Sequence, residues 1–123
     1  MKSKEFANKN LRNLFKTGTR TNTLKVERSA GYLHEQTKSY LFTKLVYFGG
    51  HIVVVNGKLK NGKCPDIVIL DLEEPFGYEI INSETEKMTE AKAYPFKVIR
   101  IDQLKFNELF EDLCKLAKLV TEN

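Results

Sequence analysis

Pro65-Asp66-Ile67-Val68-Ile69-Leu70 and Phe76-Gly77-Tyr78-Glu79-Ile80-Ile81 are the two stretches that decide how this chain folds. Both are rich in β-branched and aromatic residues and are bounded by turn formers, so each predicts a strand. Each also carries one acid, Asp66 and Glu79, spaced 13 residues apart. A carboxylate among such residues is costly to bury unless something pairs with it. On consecutive strands joined through Asp71 to Pro75, the two acids are placed to be cross-strand neighbours. Two carboxylates side by side suit a divalent cation bound through oxygen.

Working outward, His51-Ile52-Val53-Val54-Val55 predicts a strand ahead of this pair, with Asn56-Gly57 and Asn61-Gly62 as turn signals between them. Upstream, Ala30, Leu33, Thr37, Tyr40, Leu41, Leu45 and Phe48 recur at helical spacing, predicting a first helix over 27–48. Ser29 or Thr23 is the expected cap, and Gly49-Gly50 ends the helix. Downstream, Ser83 and Glu86 stand in capping-box register before a helix running from Thr85 to about Ala93. Tyr94-Pro95 stops it. Phe96 to Ile101 alternates as a fourth strand, and Leu104 to Val120 carries the apolar face of a last helix. The order predicts an α/β fold: a single mixed sheet, made of a three-strand meander plus a crossover fourth strand, flanked by helices.

The chain has 123 residues, 41% hydrophobic and 29% charged, ordinary values for a globular protein with one real core. No apolar run approaches the ~20 residues of a membrane helix, and no signal-peptide core follows the basic start, so a cytoplasmic location is the default expectation. Cys64 and Cys114 lack metal-ligand spacing and read as reduced thiols in or near the core. Residues 1–28 hold eight Lys and Arg against two Glu, a net +6, while the rest of the chain carries −2. The division expected is a basic N-terminal arm over 1–26 and an α/β domain over 27–123. In the arm, Phe6, Leu11, Leu14 and Phe15 suit one short amphipathic helix, and Thr17 to Thr23 reads as loop. Lys9, Arg12, Lys16, Arg20, Lys25 and Arg28 are the candidate contacts to nucleic-acid phosphate; a solvated tail explains the same charge.

Pro65-Asp66 on the second strand and Glu79 on the third, with Glu35 on the preceding helix, resemble the restriction-endonuclease-like PD-(D/E)XK nuclease family over roughly 27–101. In size and acid spacing the chain is most similar to the archaeal-type Holliday-junction resolvases of that family. The resemblance implies a homodimer that cleaves DNA with Mg²⁺ or Mn²⁺. It also implies Asp66, Glu79 and the carbonyl of Ile80 as metal ligands, with Glu35 completing the cluster. The motif's lysine falls two residues after Glu79, where this chain has Ile81. Lys92 is the candidate substitute, with Lys87, Lys63 and Asn82 as alternatives. The alternative function is a non-catalytic nucleic-acid-binding or assembly module with a degenerate nuclease fold.

Taken singly, these residues also have plainer readings. Asp66 suits an exposed strand start, Glu79 one half of a lysine salt bridge, and Glu35 a solvated helix face. His34 and His51 suit general bases, or a helix surface and a strand start. Tyr32, Tyr40, Tyr47, Phe42 and Phe48 read as core or interface residues, with base stacking as the alternative.

Overall fold

The computed structural model describes residues 2–81 and 94–103. Four strands form one sheet in the order β1 (Val53–Val55), β2 (Ile67–Ile69), β3 (Phe76–Ile81) and β4 (Lys97–Asp102). The first three pair antiparallel as a meander, and β4 joins β3 in parallel. This is the mixed α/β sheet expected from the strand pattern. The helices expected over 85–93 and 104–120 lie outside the described residues. So do Lys87, Lys92, Asn82, Ser83 and Cys114.

Alternation along the short strands sends successive side chains to opposite faces. Val54, Val68 and Leu70 face one layer, where they pack with Ala7, Phe15 and Leu59. Val53, Val55, Ile67 and Ile69 face the other, with Leu41 and Phe42. The first layer contains helix α1 (Lys2–Leu14) and the second contains helix α2 (Tyr32–Thr43). Every residue of β1 and β2 is therefore buried, which explains why both read as unbroken apolar runs.

The basic N-terminal segment is built onto this frame. α1 is the amphipathic helix its composition suggests, and Asn10 ties it to the sheet with two bonds. Its buried amide donates to the carbonyls of Leu70 at 2.8 Å and Leu72 at 2.9 Å. Past α1, Phe15 bridges to Leu59, and Lys16 N–H donates to the Lys58 carbonyl. Asn22 then meets Val53 through both its backbone N–H and its side-chain oxygen.

The expected helix over 27–48 is divided. Gly31 has φ +87°, outside right-handed helical space, and it separates a 3₁₀ turn (Arg28–Ala30) from α2. Gly31 itself precedes α2, and neither Ser29 nor Thr23 caps it. Beyond Thr43 the helix widens into a π-helical segment (Lys44–Phe48), closed by Gly49 N–H donating to the Lys44 carbonyl at 3.0 Å. Phe48, counted on the apolar stripe by its spacing, is exposed as a result. Cys64 is a free, exposed thiol rather than a core residue. Among the described residues no helix is long and apolar enough to cross a membrane.

Candidate functional site

Ile67 of β2 stands opposite Tyr78 of β3, and one further step sets Asp66 opposite Glu79. The two acids do meet. The Asp66 N–H donates to Glu79 Oε1 at 3.1 Å, and the Ile80 N–H donates to Asp66 Oδ2 at 2.8 Å. Asp66 is buried rather than an exposed strand-start residue. Its carboxylate is compensated by the backbone of the neighbouring strand, the kind of partner a buried charge requires.

α2 brings the third acid. Glu35 is buried, so it does not occupy a solvated helix face. Its Oε1 accepts from Lys38 Nζ at 2.6 Å and from the backbone N–H of Glu27. Its Oε2 lies 2.6 Å from His34 Nδ1. The other ring nitrogen of His34, Nε2, lies 3.3 Å from Asp66 Oδ2. His34 is thus the link between the acid of α2 and the acid of β2, and it is half-buried rather than on the helix surface.

Charge balance explains how this cluster survives burial. The hydrogen bond to Asp66 raises the His34 pKa most, burial opposes it, and the charges of Asp66 and Glu35 add to the rise, which reaches about 9. Both ring nitrogens then carry protons at neutral pH and donate to the two carboxylates. Burial pushes the Glu35 pKa up, but the Glu27 N–H, Lys38 and His34 outweigh it and hold the carboxyl below its usual range. Lys38 has no exposed surface, and it also donates to Asn56 Oδ1 at 2.6 Å. Asn56 has φ +49° at the turn leaving β1, and its N–H donates to the Asp66 carbonyl at 3.0 Å. On the far side, the Tyr94 hydroxyl donates to Glu79 Oε1 at 2.9 Å.

Asp66 and Glu79 therefore meet across β2 and β3, and Glu35 of α2 is joined to Asp66 through His34. Ile80 reaches the cluster through its N–H, while its side chain is buried. Lys92 lies outside the described residues. The six basic candidates, Lys9, Arg12, Lys16, Arg20, Lys25 and Arg28, are all exposed. Arg28 directly follows Glu27, whose N–H touches Glu35, so the basic segment ends beside the acids. His51 is elsewhere, paired with Asp71 at 3.2 Å where β1 begins.

Lys38, Asn56 and Tyr94 are participants that the motif spacing does not single out. The one signal for Lys38 is its position three residues after Glu35, a helical neighbour pair. Asn56 and Tyr94 read as a turn former and a helix stop, and nothing local marks their second role.

Among the described residues no group of three or more His, Cys, Asp or Glu side chains is disposed to hold a metal ion. A smaller donor set fits magnesium, which keeps several waters and takes only one or two carboxylates. Asp66 Oδ1 accepts no hydrogen bond among the described residues, and Glu79 lies directly across from it. No family model, curated protein or solved structure matches this chain.

Proposed function

We propose that the protein is a metal-dependent DNA endonuclease, structure-selective and resolvase-like in its substrate. The observation that carries this reading is the meeting of Asp66 and Glu79 across β2 and β3, with Glu35 drawn in by His34. Asp66 and Glu79, with the Ile80 carbonyl, would hold Mg²⁺ or Mn²⁺ at the scissile phosphate. A bound divalent ion supplies an activated water and charge neutralisation on the phosphate and leaving oxygen.

The chain's own residues prepare that chemistry. Asn56 and Lys38 fix the Glu35 carboxylate, and His34 fixes Asp66 against it. Tyr94 and the Asp66 N–H fix one oxygen of Glu79. Such outer partners orient the acids before substrate arrives. The exposed basic residues from Lys9 to Arg28 would meet backbone phosphates, which position DNA without reading its sequence. Incubation of branched and duplex DNA with Mg²⁺ is the test. Nicking that is lost in both Asp66→Ala and Glu79→Ala is expected, and full cleavage by both variants would overturn the assignment.

A second reading is favoured by one observation. Ile81 occupies the position of the motif lysine and pairs with Asp102 in the β3–β4 ladder. A module with this fold that binds nucleic acid without cutting it requires no lysine there. It predicts salt-sensitive DNA binding and no cleavage with either metal. The resolvase resemblance also implies a homodimer, which sedimentation at micromolar concentration would reveal.

A further inference from the structure

Along the outer side of α2 run two grooves, of about 670 and 440 Å³. They adjoin at Tyr40 and Thr43, and together they are called the channel. The channel begins at Arg28, Tyr32 and Glu35, beside the acid cluster, and ends at Lys44 and Phe48. Its rings are unusually open for their size: Tyr32 is 73% exposed and Phe48 84%. Tyr40 lies eight positions after Tyr32, about 12 Å along α2, and Phe48 lies eight positions further on, at the end of the π-helical segment. Charge accompanies the rings. Lys44 Nζ lies 6.0 Å above the Tyr40 ring, and Arg28 is exposed at the other end. The acids of the channel are Glu27 and Glu35, and Glu35 is already compensated by Lys38 and His34.

A ligand that matches rings and cations in one line must offer flat apolar faces and regularly spaced negative charge. An unpaired DNA strand does both. A duplex hides its base faces within the stack, so it satisfies only the cations. We infer that this channel binds single-stranded DNA, with bases stacked on Tyr32 and Phe48 and phosphates met by Arg28 and Lys44. The strand then enters the site at Glu35, and the preferred substrate is DNA with an unpaired segment. That last step rests on the endonuclease reading, whereas the binding itself does not.

The test is fluorescence anisotropy of the full chain, without added metal, against a labelled oligodeoxythymidylate and a duplex of equal length. Removing a stacked ring weakens single-strand binding about tenfold. Tyr32→Ala and Phe48→Ala should each show that loss, and Lys44→Glu should weaken binding and flatten its salt dependence. Both rings are exposed, so circular dichroism of the variants should match the parent. Unchanged single-strand affinity in the Tyr32→Ala/Phe48→Ala double variant overturns the inference. So does a parent dimer that the double variant dissociates while DNA affinity holds, because the face then belongs to a second copy. An oligouridylate bound tenfold more tightly overturns the assignment to DNA. Cleavage of continuous duplex with dispensable rings would refute this inference and leave the endonuclease reading intact. Ring-dependent single-strand binding without any cleavage would do the reverse.

Discussion

Lys38 Nζ donates to Asn56 Oδ1 at 2.6 Å, so a cation with no exposed surface ties α2 to the turn leaving β1. The same ammonium holds Glu35, and the same asparagine holds the Asp66 carbonyl. The acids are therefore positioned by a connection that lies behind them, through the protein interior.

Lys38→Met breaks that connection and leaves a buried carboxylate short of its cation. A loss of about 3 kcal/mol in unfolding free energy is expected, read from the urea midpoint at constant m-value. Adding Glu35→Gln should restore part of it, since the uncompensated charge is then gone. Equal midpoints for Lys38→Met and the parent would show that the pair does not form.

The pH dependence of stability should carry the mark of His34. Its folded pKa, about 9, lies above the 6.5 of an unperturbed histidine. The folded state therefore holds the proton more tightly, and the stabilisation is complete below about 6.5 and fades as pH rises through about 9. His34→Gln should be less stable than the parent at pH 6 and nearly equal to it at ~pH 10, measured without added metal. A His34 ring that titrates by NMR at its unperturbed value would contradict the double contact with Glu35 and Asp66.

At Gly57, a Cβ would fall 2.3 Å from Val54 Cγ1 and 3.1 Å from the Phe15 ring. Alanine there must push apart the layer that seats α1, at a cost of about 1–3 kcal/mol. A melting temperature lower by several degrees is expected, and Gly57→Ala/Val54→Ala should not show the two losses added together. Additive losses would mean that the backbone gives way instead.

Tyr94→Phe removes one hydroxyl from Glu79 and leaves the Asp66 N–H in place. Stability should fall by about 1 kcal/mol. If Glu79 is a metal ligand, the magnesium concentration for half-maximal cleavage should rise at least tenfold. An unchanged magnesium requirement would place Glu79 outside the metal shell.

The sheet and its acid pair were legible because strand signals are local. Asp66 and Glu79 lie in runs whose length and turns leave one simple antiparallel register, and that register sets them opposite each other. The helical side was less legible. Apolar spacing puts Phe48 on the buried stripe and leaves Lys38 off it, whereas Phe48 is exposed and Lys38 is not. The burial of Lys38 is decided by Glu35 and Asn56, partners on two different elements, and sequence spacing records only the first. His34 reads as a surface residue for the same reason: its partner Asp66 is 32 positions away. The division of the predicted helix turns on one backbone angle at Gly31, a freedom that glycine permits but does not announce.

Asn22 bears on how copies of this chain could go wrong together. Ile52 and Asn56 spend their ladder bonds on β2, so Val53 turns its N–H and carbonyl outward, and Asn22 takes both. Val53-Val54-Val55 is an uncharged, strongly β-forming triplet at the edge of the sheet, where bare N–H and C=O groups can pair with another chain. The segment that carries the positive charge thus also covers part of an edge open to strand addition. Proteolytic nicking near Thr21 is expected to bare that edge, which light scattering of nicked against intact protein would check.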